Sequence, residues 1–153
     1  MIYSRSAEYA IRATVALGAL KSGEYGLVRT IAKEAEIPPP FLAKLLQDLA
    51  RDGFLKSSKG PRGGFRLAVP ASDLTLMQIV DSVDGTGAGR HERCPGGHPE
   101  CSDRVACALH ETWMPLRQHV VEYLQGTTIA ALVASLQAKR RALARRRAKK
   151  VPI

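Results

Sequence analysis

Apolar residues recur along the chain with two spacings, and these divide it into elements. Residues 3–21 carry Tyr9, Ala13, Ala16, Leu17 and Leu20 at helical intervals, and Gly23 and Gly26 stand where such a helix would end. Residues 27–35 repeat the pattern with Leu27, Ile31, Ala32 and Ala35 on one face, and Glu36-Ile37 predicts a tight turn. Pro38-Pro39-Pro40 then opens a third helix, where proline is tolerated because first-turn N–H groups have no intrahelical acceptor. Its apolar face is Phe41, Leu42, Leu45, Leu46 and Leu49; its outward face is Ala43, Lys44, Gln47, Asp48 and Arg51. Gly53 stops it. Two short β segments, 54–57 and 65–69, flank the glycine- and proline-rich tip Ser58-Lys59-Gly60-Pro61-Arg62-Gly63-Gly64, a hairpin signature.

The second half alternates helix and loop. Thr75 with Gln78 forms a capping-box pattern ahead of Leu76, Ile79, Val80 and Val83. Residues 85–106 lack an apolar period. From about Ala108 to Gln125 a long helix carries Leu109, Trp113, Leu116, Val120, Tyr123 and Leu124, with Pro115 predicting a kink or a later regular start near Thr112. After Gly126, Thr127 or Thr128 caps a last helix bearing Ile129, Leu132, Val133 and Leu136. The expected fold is mainly α with a small β-hairpin wing: a winged helix-turn-helix followed by a long dimerisation helix. The expected division is 1–83 for the winged unit, 84–107 for a ligand loop, 108–137 for the long helix and its successor, and 138–153 for a basic tail.

Charge refines this picture. The net charge is +9 over 153 residues, but residues 139–153 alone hold 8 Lys/Arg and no acid. Residues 1–69 are also cationic, with 11 Lys/Arg against 6 Asp/Glu, and this excess coincides with the helix-turn-helix and hairpin. The outer face of the third helix would offer Lys44 and Gln47 to base edges in a major groove. Lys59 and Arg62 at the hairpin tip would reach phosphates or a minor groove. Pro38, Pro40 and Phe41 complete the expected contact surface. The partner is therefore double-stranded DNA. The long helix has more apolar positions than one small domain covers, so Leu109, Trp113, Leu116, Val120 and Leu124 are expected at a homodimer seam, and a twofold dimer would read a palindrome. No apolar run spans a membrane and no leader pattern opens the chain, which makes a cytoplasmic setting the default.

The three cysteines form one group, Cys94-x6-Cys101-x5-Cys107, with His110 following. An odd number of thiols in a glycine-rich loop of a reducing compartment points to metal or redox chemistry. Three readings fit the residues: an iron–sulfur cluster, a zinc site of three thiolates and an imidazole, or a thiol switch. His98 and His91 share the loop, and His119 lies on the long helix. Glu8 stands at helical spacing from Arg5 and Arg12, which suits an ordinary ion pair. The chain has no phosphate loop or nucleophile–base pair, and its cysteines lack the Cys-x-x-Cys spacing of a dithiol oxidoreductase, so an enzyme is not expected. A metal-bearing protein-interaction adaptor is the rival class.

Residues 3–10 (Tyr-Ser-Arg-Ser-Ala-Glu-Tyr-Ala), 37–42 (Ile-Pro-Pro-Pro-Phe-Leu), 59–65 (Lys-Gly-Pro-Arg-Gly-Gly-Phe) and Cys107-Ala108-Leu109-His110-Glu111-Thr112-Trp113 together resemble the IscR/NsrR group of winged-helix regulators. The resemblance covers most of residues 1–137. It implies a homodimeric transcription factor with an iron–sulfur cluster on each subunit. Members with three cysteines and a histidine hold a 2Fe–2S cluster, and His110 matches that histidine. Members that sense nitric oxide use an acidic residue of the partner's first helix and hold a 4Fe–4S cluster, and Glu8 lies near that place. On this resemblance 2Fe–2S with Cys94, Cys101, Cys107 and His110 is favoured, with Glu8 the alternative fourth ligand and zinc the alternative metal. The chain departs from the group in a first cysteine gap one residue longer, and in Ala43 where the assembly regulator has a glutamate that discriminates between DNA sites.

Overall fold

The computed structural model describes residues 2–60, 63–85, 94–98, 102, 104 and 106–148. Six helices and one hairpin follow in order: α1 Arg5–Gly18, α2 Val28–Ala35, α3 Pro39–Arg51, β1 Leu55–Ser58, β2 Gly64–Leu67, α4 Leu76–Asp84, α5 His110–Gly126 and α6 Ile129–Ala148. The expected fold class is observed.

Helix α1 is the hub of the core, packing on α2, α3, α4, α6 and β2. It begins at Ser4, whose hydroxyl accepts from the Ala7 N–H at 3.1 Å. It ends at Gly18, before the two glycines expected to stop it. Gly26 has a different task. A Cβ there would lie 2.8 Å from Leu17 Cδ2 and 2.9 Å from Ile31 Cδ1, so a larger residue would force these side chains to shift where the backbone crosses the core. Gly26 pairs with Phe65 through two backbone hydrogen bonds of 2.8 and 3.0 Å, adding a third rung to the hairpin.

The buried face of α1 is Ala7, Ala10, Ile11, Ala13, Thr14, Val15 and Leu17, while Tyr9, Ala16 and Leu20 are only half-buried. Leu27 was expected to face inward; it is the N-cap of α2 and is exposed, because the stripe of that helix starts one turn later at Ile31. Leu42, Leu46 and Leu49 of α3 are fully buried. Each such leucine contributes about 1.5–3 kcal/mol by leaving water. Phe41, expected on the same face, is 40% exposed and meets the Tyr9 ring edge-on, with centroids 5.8 Å apart.

The end of α5 and the start of α6 are knitted to this unit. The Thr75/Gln78 capping box forms as expected, with hydrogen bonds of 2.8 and 3.3 Å. Beside it the Leu76 N–H donates to Thr127 and the Ile129 N–H to Leu74, both at 2.9 Å. Thr128 accepts from the Ala131 N–H and so caps α6. The basic segment expected as a separate tail continues α6 without a break to Ala148.

Candidate nucleic-acid interface and thiol loop

The helix-turn-helix is built from α2, a turn and α3. Glu36 ends α2 in the left-handed region (φ 55°), and the Ile37 N–H returns to the Ala32 carbonyl at 2.9 Å. Ile37 is buried, which pins the turn. Pro38 then serves as N-cap of α3, its carbonyl accepting from the Leu42 N–H at 3.0 Å. With one face of α3 anchored by leucines, Pro38, Pro40, Phe41, Lys44, Gln47 and Arg51 are left exposed on the other. Ala43 and Asp48, expected outward, are half-buried.

The wing stands beside this face. Leu55 pairs with Leu67, Lys56 with Arg66, Ser57 with Phe65 and Ser58 with Gly64; β1 is shifted by one residue from its expected bounds, and β2 starts one residue earlier and ends two earlier. Gly64 takes φ 141°, and a Cβ there would meet the Gly26 carbonyl oxygen at 2.2 Å. Lys59 is exposed at the tip; Arg62 lies outside the described residues. Sequence reasoning missed the inner edge of the wing. Ser57 shares a crevice with Gln47 and Arg51, and Lys56 is exposed one residue earlier on β1. The signal was the register of the hairpin, which no local pattern supplies.

Helix α4 leads to the thiol loop, and its last turn is tied to both ends of the DNA-facing unit. Asp84 accepts from the Ser4 N–H at 2.8 Å and also from the Ser4 hydroxyl. Ser82 donates to Asp52, the C-cap of α3. The loop therefore leaves, at Gly85, from a turn joined to the start of α1 and the end of α3.

Within the loop, Cys94-Pro95-Gly96-Gly97 forms a turn closed by the Gly97 N–H on the Cys94 carbonyl at 3.0 Å. The turn brings Gly96 between two sulfurs: a Cβ at that position would lie 2.9 Å from Cys107 Sγ and 3.5 Å from Cys94 Sγ. Thirteen positions apart in sequence, the two sulfurs thus face a single glycine. Both residues are thiols, and both are half-buried. The exposed His98 also bends its ring to this glycine, with Cδ2 3.4 Å from the same point. Cys101 and His91 lie outside the described residues. Among the described residues no group of three His, Cys, Asp or Glu side chains converges as a ready metal site.

His110 is the first residue of α5, not part of a helix begun at Ala108, and its N–H donates to the Cys107 carbonyl at 3.1 Å. Its side chain is buried. Glu8 pairs with Arg12 at 3.6 Å, the ordinary ion pair its spacing suggests. Burial first, then the charges of Tyr123 and Glu8, raise the pKa of the nearby Tyr3 phenol. His119 is exposed, its Nδ1 2.7 Å from the Pro115 carbonyl.

The apolar residues of α5 divide. Leu109, Leu116 and Tyr123 recur every seven positions and are about half exposed, Leu116 at 55%. Trp113 is half-buried, and its indole N–H is covered without an acceptor. Leu124, expected at a dimer seam, is instead fully buried in its own chain's core, and Val120 packs against that core. The reason is rotational: 124 lies one position beyond the 109–116–123 row, which turns it by about 100° toward α4.

Residues 3–135 match the family model for Rrf2, an iron-dependent transcriptional regulator. An inferred HTH-type transcriptional regulator of Aquifex aeolicus (strain VF5) is 36% identical over 135 residues, covering 87% of this chain and 92% of that protein. The HTH-type transcriptional regulator IscR of Cereibacter sphaeroides is 29% identical over 135 residues, covering 87% of each. Among solved structures, CymR, the global cysteine regulator of B. subtilis, superimposes with a TM-score of 0.72 at 22% identity, over 88% of this chain and 98% of that one. IscR of T. potens does so with a TM-score of 0.70 at 19% identity, over 89% and 88%. No helix among the described residues is long and apolar enough to cross a membrane. The family model, spanning nearly the whole chain, and the winged fold built by these residues agree: the chain belongs to the Rrf2 family of DNA-binding transcriptional regulators.

Proposed function

We propose that the protein is a homodimeric transcriptional regulator whose DNA binding responds to an iron–sulfur cluster held by Cys94, Cys101 and Cys107. One observation carries the reading: two cysteines far apart in sequence turn their sulfurs to the same side-chain-free residue, Gly96. With no side chain at Gly96 both sulfurs can come to one place, and the donor set of soft thiolates suits iron–sulfur ligation. His110, one turn past Cys107, is the favoured fourth ligand and makes 2Fe–2S the favoured cluster. Glu8 with a 4Fe–4S cluster is the alternative. When bound, the group supplies a centre that reacts with oxygen or nitric oxide and is lost when iron is short.

The chain's own residues do the rest. Pro38, Pro40, Phe41, Lys44 and Gln47 present the α3 surface to the major groove, and Lys59 with Arg62 holds the flanking backbone. Leu109, Trp113 and Leu116 of α5, with Tyr123, pair with a second copy and set two α3 helices on a palindrome. The Asp84–Ser4 and Ser82–Asp52 hydrogen bonds carry the state of the loop to the ends of α1 and α3. In a family of transcriptional regulators, this DNA-facing arrangement argues against the adaptor reading.

A second reading rests on the same sulfurs. Facing one glycine, Cys94 and Cys107 suit a dithiol switch without a cluster. The test is iron, acid-labile sulfide and zinc per subunit in protein purified without oxygen. Two irons and two sulfides support the His110 set, and four of each shift the fourth ligand to Glu8. Zinc without sulfide turns the loop into a structural site. Absence of all three, with a disulfide forming on mild oxidation, selects the thiol switch.

A further inference from the structure

We infer that the carboxyl-terminal half of α6 is a second DNA-docking surface, one that takes the phosphate backbone of duplex beside the stretch read by α3. The inference rests on the DNA-binding role but not on any cluster.

Helix α6 has two unlike halves. Its first two turns bury Ile129 and Val133 and pack Leu132 and Leu136 against the core. Every residue from Gln137 to Arg146 is exposed. At a rise of about 1.5 Å per residue the exposed stretch to Arg146 extends about 15 Å. It holds Lys139, Arg140, Arg141, Arg145 and Arg146, and Glu122 is the last acidic residue in the sequence. At 100° per residue these cations surround the axis instead of sharing a stripe. The one large apolar residue among them, Leu143, is 56% exposed.

That distribution selects the partner. A helix that lies on a membrane, or in a hydrophobic groove, needs an apolar face, and this stretch has none. Its charge has no internal use either. Among the described residues ion pairs join Glu8 to Arg12 and Asp48 to Arg51, and none reaches the cations of α6. Arg141 instead donates to the Gln137 carbonyl of its own helix at 3.3 Å. The Arg141/Arg145 pair, four apart, opposes the helix that contains it. A stretch polar on all sides, without compensating acids, gains stability from a polyanion more than from its own chain. Each strand of duplex DNA supplies about one negative charge per 3.4 Å, close to the roughly one cation per 3 Å of the helix, and arginine forks bind phosphate in pairs. The protein already holds duplex through α3, so the same molecule is at hand at high local concentration. Residues 139–153 hold eight Lys/Arg and no acid, against a net charge of +9 for the whole chain.

The test uses the full chain with Arg141→Gln, Arg145→Gln and Arg146→Gln together, all exposed positions and all to a good helix former. Affinity is measured against salt for a duplex from the protein's own promoter region and for a random duplex of equal length. Removing three phosphate contacts per subunit should lower the slope of log affinity against log salt by about 2 to 3 per subunit, about 5 for a dimer, on both duplexes. The ratio of promoter to random affinity should stay constant, and circular dichroism should show the same helix content. An unchanged slope on both duplexes overturns the proposal. So does a loss confined to single-stranded RNA or to poly-glutamate, which would assign the surface to another polyanion. If the wild-type chain prefers neither duplex, the promoter-reading role fails, while the change in slope still decides whether α6 holds phosphate.

Discussion

The winged unit and the thiol loop are held in opposite ways. The winged unit closes on leucines: Leu42, Leu46, Leu49, Leu74 and Leu76 are essentially without solvent contact, and α1 touches almost every other element. No described residue of the thiol loop is fully buried. Its described landmarks are a turn, a bare glycine and two half-buried thiols. The first region is stable because apolar surface leaves water; the described part of the second turns two sulfurs to one glycine instead. On the proposed function this contrast suits a regulator, whose DNA-facing surface must persist while the loop changes state.

The largest effects should separate the two regions. Leu46→Ala opens a cavity under the recognition helix and should cost about 2–5 kcal/mol, read as a lower urea midpoint. Cys107→Ala should reduce bound iron and sulfide to background yet shift that midpoint by less than about 1 kcal/mol. Equal losses of stability from the two changes would show that the loop is part of the core after all.

Gly96→Ala sharpens the loop's side of the contrast. The new methyl would stand 2.9 Å from Cys107 Sγ, so the sulfur must move. Metal retention should weaken about tenfold or more, the scale seen when a metal ligand loses its support. Competition with a chelator measures this directly, and wild-type retention would remove the glycine from the site.

The joint between the regions should give a smaller effect. Asp84→Ala removes the acceptor of both Ser4 hydrogen bonds and should cost about 1 kcal/mol. Chemical denaturation reads the cost. Binding assays on metal-loaded and metal-free protein should then show the two forms closer in DNA affinity than in the wild type. The smallest effect concerns Tyr3, whose folded pKa lies above its ordinary 10.0 because of burial, with Tyr123 and Glu8 adding. The unfolded chain releases this proton first, so stability should fall as pH climbs past 10 and level off above the folded pKa. Tyr3→Phe should flatten that decline in alkaline denaturation curves.

Much of the winged unit was legible in the pattern of residues. The stripe of α3, the capping box at Thr75 and the glycine-rich hairpin are local signals, since each depends on side chains within a few positions of one another. The three-cysteine loop was legible by composition alone. Other assignments depended on what lies across the fold. Gly26 reads as a helix stop, yet its place is set by Leu17, Ile31 and Phe65. Phe41 continues an apolar stripe in sequence, but Tyr9 meets it at the edge of the core. Leu124 matches a seam on a helical wheel, while the docking of α5 on α4 turns it inward. Nothing local joins Asp84 to Ser4, or Cys94 to Cys107 across Gly96. Element type, approximate limits and the candidate ligands were determined by the sequence itself, because periodicity and backbone preference act over a few residues. The partners of those elements, and the half of each amphipathic helix left exposed, were decided by tertiary structure, because burial is a property of the packed chain as a whole.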